Sequence, residues 1–286
     1  MKLDTNKKIL IVGLGLLGGS YAMALKRQGY SVSAITRSQS SIDYALQNNL
    51  IDCGSTEVLP ELVSSADLVV FALYPKVFVK WLKEYQQYFK SGAVITDVTG
   101  VKSCIIYDIQ NFLRDDVEFI AAHPMAGREV YGVENATDEM FKNANYIVVP
   151  TSKNTAGAME LCRDLGVKLG FKDVSELSPE MHDEMIAYLS QLTHCIAVSL
   201  MCCNDFRGLE NYTGDSFRDL TRIASINDDM WSELFLLNRE PLLREMDKFR
   251  RSFDELYDKL KDNDREGMRE MMRVSTMRRE RFNKKD

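Results

Sequence analysis

Short apolar runs rich in β-branched residues recur through the first part of the chain, with amphipathic stretches between them. A continuous apolar run of this length is typical of a strand that is buried on both faces. Such runs cover residues 9–12, 31–35, 67–72, 93–97, 117–122, 145–150 and 171–175. Helical patterns include residues 20–27, 41–49 and 155–169. This alternation predicts an α/β fold with a doubly wound, mostly parallel sheet.

The pattern changes at Ser178 and Pro179, where a capping residue followed by proline indicates the start of a helix. Beyond it the chain is helical with short breaks. We therefore predict a sheet domain over residues 1–176 and an all-α domain for substrate binding and dimerisation over residues 177–286. The first long helix, residues 179–203, is apolar nearly all round, which predicts that it is buried.

The last helices carry apolar residues in steps of four and three, a coiled-coil-like seam. It consists of Leu242, Met246, Phe249, Phe253, Leu256 and Leu260. Because two-fold assemblies are the commonest, the seam predicts a homodimer through the helical domain, the alternative being a bundle within one chain.

Composition restricts the classes of partner. The chain has 45% hydrophobic residues and a net charge of −6, so neither nucleic acid nor an anionic membrane is expected as the main partner. The six cysteines form no C-x-x-C pair and no zinc spacing, and no signal peptide is present. We expect no metal, reduced thiols and a cytoplasmic protein.

A glycine-rich turn lies between the first strand and the first helix. It comprises Gly13, Gly15, Leu16, Leu17 and Gly18, in the order G-x-G-x-x-G. In a Rossmann-type domain these glycines permit the tight turn, the approach of a pyrophosphate and close helix packing, while the helix N-terminus attracts the phosphates. The turn predicts a dinucleotide site, the alternative being a glycine turn without a ligand.

The end of the second strand bears on the choice of cofactor. An acid usually binds the ribose of NAD there, but the residues are Thr36, Arg37 and Ser38. Arginine suits a 2′-phosphate, so NADP is favoured within an NAD(P) site. The alternative is that Arg37 stacks on adenine or lies in solvent and NAD is used. The loop that contains Thr99 is predicted to lie beside the nicotinamide.

His123 follows the apolar run 117–122 and precedes Pro124. Proline cannot donate to a sheet, so the strand is predicted to end there, with His123 at the sheet edge where ligands bind. An imidazole titrates near neutral pH and suits proton transfer. The alternative is a histidine that only caps a strand.

The helical domain supplies further candidates. Asp183, Ser190 and His194 are spaced i, i+7, i+11, which predicts one polar stripe that lines a cleft, unless the three only satisfy one another. His182 lies off that stripe and receives no role. Arg218 and Arg222 are one turn apart and suit a carboxylate, the alternative being surface salt bridges. Trp231 is a candidate wall of the same pocket.

Six motifs together resemble the prephenate/arogenate dehydrogenase family. They lie at residues 13–19, 97–102, 123–129, 178–183, 190–194 and 217–224, in the family's order and spacing. The resemblance implies oxidative decarboxylation of prephenate to 4-hydroxyphenylpyruvate in tyrosine biosynthesis. It implies that His123 hydrogen-bonds the ring hydroxyl and assists its deprotonation, and that Arg222 binds a substrate carboxylate. His194 is implied at the substrate side chain, with Ser190, Asp183, Trp231 and Arg218 as pocket residues.

This sequence departs from the family at two positions. Gly100 replaces a serine that often orients the catalytic histidine, leaving Thr99, Ser103 or no hydroxyl in that role, and Thr193 replaces a proline. With the sequence ending at residue 286, we expect no regulatory domain and no tyrosine feedback through one. Arogenate is the alternative substrate, although Arg128, Arg218 and Arg222 favour the dianionic prephenate. Two further hypotheses are a β-hydroxyacid or imine reductase and a non-catalytic dinucleotide sensor.

Overall fold

The structure, a computed structural model, describes residues 2–128 and 130–283. The chain divides into two compact units, one ending at Asn238 and one beginning at Arg239. The predicted boundary between residues 176 and 177 is a different division, and it stays a prediction.

The main sheet of the first unit has six parallel strands in the order β3-β2-β1-β4-β5-β6. They are β1 (Lys8–Val12), β2 (Ser31–Ile35), β3 (Cys53–Ser55), β4 (Leu68–Phe71), β5 (Val94–Asp97) and β6 (Glu118–Phe119). Strand order reverses beside β1, which pairs with β2 on one side and β4 on the other. In sheets of this kind ligands bind at the carboxyl ends of the strands near such a reversal. The Rossmann-type fold is confirmed.

A second sheet contains β7 (Ala121–Pro124), β8 (Asn145–Val149) and β9 (Asp173–Glu176). The run predicted as one strand divides at Ile120, so that part of the prediction was wrong. β7 includes His123 and ends at Pro124, where the strand was predicted to end. β7 runs antiparallel to β8, with His123 opposite Ile147. Proline is tolerated at this terminal position because no further ladder bond from its nitrogen is required.

Six helices accompany the sheets in the first part of the chain. They are α1 (Leu16–Arg27), α2 (Gln39–Gln47), α3 (Pro60–Ser65), α4 (Pro75–Tyr85), α5 (Ser103–Phe112) and α6 (Ala156–Leu169). Alternate residues of β1 enter two separate apolar clusters, with Ile9 and Ile11 in one and Leu10 and Val12 in the other. Because strand side chains alternate between faces, the main sheet has one core on each side.

The helical part of the first unit contains α7 (Pro179–Ile186), a π-helical turn (Ala187–Leu192), α8 (Thr193–Cys202), α9 (Asp215–Thr221) and α10 (Asp228–Leu237). The π turn adds one residue to the helical repeat, which rotates the residues after it by roughly 100° about the helix axis. The predicted single stripe of Asp183, Ser190 and His194 is therefore divided, with Asp183 buried and the other two partly exposed.

Burial of the long helix was also predicted wrongly for the single chain. Met185, Tyr188 and Leu189 are 38%, 55% and 43% exposed. By length and apolarity alone, Pro179–Cys202 could cross a membrane. Its buried polar residues Asp183 and Gln191 hydrogen-bond with the β5 loop and with α10.

The second unit contains α11 (Arg239–Lys261) and α12 (Arg265–Arg279), which contact each other. The predicted seam on α11 is covered only in part within the described chain. Leu242 is buried, whereas Phe249, Phe253 and Leu260 are 40%, 61% and 63% exposed.

Candidate active site

The glycine turn has the geometry that a dinucleotide requires. Gly13 has φ +99°, and a Cβ there would lie 2.3 Å from the Ala72 carbonyl oxygen. A Cβ on Gly18 would lie 1.9 Å from the carbonyl oxygen of Gly13, so the helix can pack this closely only with glycine. A Cβ on Gly15 would meet no described atom within 4 Å. Gly15 therefore opens onto free space at the N-terminus of α1, where phosphates bind in such domains.

The residues after β2 are those predicted to lie beside the adenosine part of the cofactor. Arg37 is exposed directly after β2, and the Ser38 hydroxyl caps α2 by accepting from the Ser41 amide at 3.1 Å. Thr36 donates its amide to the Ser55 carbonyl. An exposed guanidinium and a helix N-terminus meet at this point, and both favour an anion.

A buried ion pair fixes the loop after β5. The Lys102 ammonium lies 2.7 Å from Asp97 Oδ2, and neither side chain is exposed. The ammonium also donates to the Ala122 carbonyl at 2.6 Å, while the Ala122 amide donates to Asp97 Oδ1 at 3.2 Å. Burial lowers the pKa of Lys102, and the attraction of Asp97 opposes that shift. The pair therefore holds both the amide and the carbonyl of Ala122, the β7 residue that precedes His123.

Thr99 belongs to this buried cluster. Its hydroxyl contacts Asp97 Oδ2 and the Val101 carbonyl, and it accepts from Lys102. The side chain of Thr99 is therefore engaged inside the protein, so the predicted contact with a cofactor would have to come from its backbone.

Asp183 joins α7 to the same loop. Its Oδ1 accepts the Lys102 amide at 2.9 Å, and its Oδ2 accepts the Ser103 amide at 2.8 Å. Burial by itself raises the pKa of Asp183, but hydrogen bonds from His182 and Ser103 outweigh it and lower the pKa. Asp183, predicted as a substrate-pocket residue, has both oxygens occupied within the chain and acts as a structural anchor.

His182 makes the contact that sequence reasoning missed. Its Nδ1 lies 2.8 Å from Asp183 Oδ1, and its Nε2 lies 2.8 Å from His123 Nδ1. His182, which received no role from the sequence, therefore contacts the predicted base directly. Helical spacing places it off the polar stripe, and the strand that packs against it is not visible in the sequence. The adjacent His-Asp pair at a helix start was the only available signal.

The two imidazoles are held in their neutral forms. Burial, then the nearby His182 and Lys102, keep the pKa of His123 well below its usual range. Burial also lowers the pKa of His182, against the opposing effect of its hydrogen bond to Asp183. A neutral imidazole with one unprotonated nitrogen can act as a general base.

Gly100 lies beside the base. A Cβ there would be 3.9 Å from His123 Cε1 and 3.8 Å from the methyl groups of Leu234. The two hydroxyls considered as substitutes for the family serine do not orient His123, since Thr99 bonds to Asp97 and Ser103 bonds to Asp183. The partner that orients His123 is His182.

The second half of the site lies along α8 and α10. His194 stacks on Trp231 with ring centroids 3.7 Å apart, and its Nδ1 donates to the Ser190 carbonyl at 2.8 Å. Trp231 is three residues before Leu234, so both occupy one face of α10. Leu234 adjoins Gly100 and thereby His123, which brings the predicted residues His123, His194 and Trp231 to one region.

The predicted arginines are exposed. Arg218 donates to Asp215 at 2.6 Å and to the Thr213 carbonyl at 3.0 Å. Arg222 lies in a 3-10 turn, Arg222–Ala224, that packs against α8. Arg128 is exposed after β7. Their roles toward a substrate stay predictions.

Within residues 2–128 and 130–283, no group of three or more His, Cys, Asp or Glu could hold a metal ion.

A glycine turn of this geometry, between β1 and α1 of a parallel sheet, is typical of nicotinamide-dinucleotide-dependent oxidoreductases. The family profiles are specific. "Prephenate dehydrogenase, nucleotide-binding domain" matches residues 21–175, and "Prephenate dehydrogenase, dimerization domain" matches residues 178–274. The chain belongs to the prephenate dehydrogenase family, and the predicted family and reaction class are confirmed.

Individual relatives agree with the family match. The prephenate dehydrogenase of Bacillus subtilis is 29% identical over 91% of this chain and 72% of its own length. That of Lactococcus lactis is 30% identical over 90% and 72%. A crystal structure of prephenate dehydrogenase from A. aeolicus, in complex with hydroxyphenyl propionate and NAD+, has a TM-score of 0.89 at 28% identity and covers 99% of this chain and 100% of its own.

Proposed function

We propose that this protein catalyses the oxidative decarboxylation of prephenate to 4-hydroxyphenylpyruvate with a nicotinamide dinucleotide, as a step toward tyrosine in the cytoplasm. The observation that carries the proposal is His123 on β7, whose pKa burial keeps well below its usual range and whose Nδ1 lies 2.8 Å from His182 Nε2. The Nε2 of His123 is then the nitrogen that can accept a proton. Family membership supplies the substrate class.

His123 is the proposed base. Its Nε2 takes the proton of the substrate's ring hydroxyl, the O–H electron pair forms a carbonyl bond, and the hydride that leaves the same ring carbon would go to a bound nicotinamide. The ring carboxylate then leaves as CO2, and its electron pair stays in the ring, which becomes an aromatic phenol. Burial keeps the pKa of His123 well below its usual range, so the imidazole is neutral at neutral pH and has one nitrogen without a hydrogen. Position also matters, because a base fixed at the reacting hydroxyl removes much of the entropic part of the barrier.

The remaining predicted residues bind the substrate. Arg222 is proposed to grip a carboxylate, with Arg218 and Arg128 adding positive charge around it. His194 and Trp231 form a flat, partly exposed wall, and Ser190 precedes them in the π turn. Charge-assisted bonds from guanidinium groups suit a substrate with two carboxylates, which favours prephenate over arogenate.

The dinucleotide fits the residues present, since Gly15 leaves open space and Gly13 makes the turn. Gly13, Gly15, Leu16, Leu17 and Gly18 are proposed to hold its phosphates, and the bound cofactor would accept the hydride from the ring. Arg37, with Thr36 and Ser38, is proposed to favour NADP. The A. aeolicus relative was crystallised with NAD+, which keeps NAD as the alternative.

Residues 177–286 are proposed as the helical domain through which a homodimer forms. The exposed Tyr188 and Leu189 and the exposed part of the seam on α11 offer apolar surface, and the family's second domain is described as a dimerization domain. Leu189→Glu should shift the protein toward monomer in sedimentation velocity. Val167→Glu, at a 64% exposed apolar position on α6, is the matched control and should leave the oligomer unchanged.

A spectrophotometric assay of four pairings, prephenate or arogenate with NAD or NADP, tests the function. We expect the highest kcat/KM with prephenate and NADP. No turnover in any pairing would refute the activity, and a preference for arogenate would correct the substrate. Arg37→Ala should raise the KM for NADP about tenfold or more while NAD changes little, with Arg27→Ala as the control arginine.

A further inference from the structure

The hydrogen bonds around His123 assign a direction to every proton in a three-residue chain. Asp183 accepts from two backbone amides, Lys102 and Ser103, and an ionised carboxylate can only accept. The hydrogen between Asp183 Oδ1 and His182 Nδ1 therefore belongs to His182. Because neutral imidazole carries one N–H, the Nε2 of His182 is left with its lone pair.

The position of the hydrogen on His123 follows from the same argument. His182 Nε2 and His123 Nδ1 are 2.8 Å apart, a distance that requires one hydrogen between them. That hydrogen belongs to His123 Nδ1, since His182 Nε2 has none. His123 is left with an unprotonated Nε2. The carboxylate of Asp183 thus selects, through His182, the tautomer in which His123 can act as a base.

We propose that His182 is a positioning residue that sets the tautomer and ring orientation of His123, with Asp183 as its fixed acceptor. This inference rests on the proposed function, in which His123 is the base. It also accounts for Gly100, because a site oriented through Nδ1 of His123 does not require a hydroxyl at position 100. The arrangement extends the logic of a serine-protease triad, in which a buried carboxylate orients one imidazole.

The proton balance is complete within the site. When His123 Nε2 takes the substrate proton, the O–H bond breaks, an N–H bond forms and the two rings share one positive charge. The hydrogen on His123 Nδ1 can move to His182 Nε2, which places that charge next to Asp183. The charged groups that face His182 are Asp183 on its own helix and Asp97 and Lys102 from the β5 loop, and His123 is its titratable neighbour on β7.

Two substitutions of similar volume separate orientation from packing. His182→Leu fills the space but accepts no hydrogen bond, and we expect kcat to fall about a hundredfold with the KM for substrate unchanged within about twofold. His182→Gln offers a carboxamide oxygen to His123 Nδ1, so its kcat should recover at least tenfold over the leucine variant. If His182 acted only by packing, the kcat of the leucine variant would equal or exceed that of the glutamine variant. That result would overturn the proposal.

A matched control addresses the docking of α7. Tyr107 on α5 donates to Glu180 of α7 at 2.5 Å, on the exposed side of the helix. Tyr107→Phe removes a hydrogen bond to the same helix without touching the histidines, and its kcat should remain within about twofold of the parent. A loss in Tyr107→Phe as large as that in His182→Leu would attribute the effect to helix docking and overturn the proposal.

A direct measurement does not depend on turnover. The chain has three histidines, so the 15N spectrum of histidine-labelled protein is simple, and the His182 and His194 variants assign it. At neutral pH we expect His123 to be protonated at Nδ1 only, and likewise His182. If His123 were protonated at Nε2 instead, the proposal that His182 sets its tautomer would be wrong, even if the enzyme were active. If no substrate pairing turns over, the proposed function fails, and the spectrum still decides the tautomer.

Discussion

The groups behind the proposed base, His182, Asp183 and the Lys102–Asp97 pair, are buried and hydrogen-bonded, whereas the arginines proposed to bind the substrate are exposed. His123 is reached through Asp183 and His182 and backed by the Lys102–Asp97 pair, all within a few ångströms. Arg218, Arg222 and Arg128 lie at the surface of the chain. From this difference we infer that the proposed base is preorganised before substrate arrives, and we propose that substrate binding completes the carboxylate-binding side.

The largest expected effect comes from removing the base. His123→Asn keeps an amide that can donate to His182 but offers no basic nitrogen, so kcat should fall about 10²–10⁴-fold with little change in KM. Steady-state kinetics on the active pairing measures this, with dinucleotide binding as the folding control. A kcat within about threefold of the parent would remove His123 from the mechanism.

On the exposed side the effect should appear in binding. Arg222→Ala removes charge-assisted hydrogen bonds worth about 1.5–3 kcal/mol, so the KM for prephenate should rise about 10–100-fold with a smaller change in kcat. Arg218 is proposed at the edge of the pocket, so Arg218→Ala should raise KM less than about fivefold. Equal effects from both would show that the two arginines share the role.

The buried side also predicts a pH profile. A histidine whose pKa is lowered in the folded enzyme is unprotonated down to a lower pH, so kcat/KM should stay at its plateau through about pH 6.5 and fall roughly tenfold per unit only below that. Between the folded and unfolded pKa values the unfolded chain binds more protons, so the free energy of unfolding should also decline as pH drops below about 6.5. An acidic limb centred above 6.5 would contradict the assignment.

The smallest effect should come from Gly100→Ser. The added Cβ meets Leu234 and His123 at ordinary contact distances of 3.8 and 3.9 Å, so kcat should change less than about threefold. Gly18→Ala is the contrasting variant, because its Cβ would lie 1.9 Å from the Gly13 carbonyl oxygen and dinucleotide binding should be lost. A large loss in Gly100→Ser with dinucleotide binding retained would mean that the space beside the base is itself needed.

The sequence predicted local features better than long-range contacts. The apolar runs placed most strands, and the glycine spacing located the tight turn at Gly13. β3 was missed because Cys53, Gly54 and Ser55 form no apolar run. The division of the run at Ile120 was missed because β7 pairs with β8, a partner more than twenty residues away.

The candidate site shows the same division. His123 and His194 could be found from their own surroundings and from the family motifs. The role of His182 could not, because helical periodicity assumes an unbroken repeat and says nothing about the strand that packs against the helix start. The π turn, which lies between Asp183 and His194, contains Gln191, whose side chain bonds to Leu234 and Asn238. Such long-range contacts are not visible in helical periodicity.

The Lys102–Asp97 pair has a consequence for the order in which the enzyme matures. Every group that grips the Ala122 peptide comes from residues already synthesised when β7 emerges. His182 emerges about sixty residues later, and chains generally fold from the N-terminus during synthesis. The growing chain would therefore fix the backbone beside His123 first. His123 would gain its hydrogen bond to His182, and with it the orientation proposed for a base, only after α7 has been synthesised and has docked.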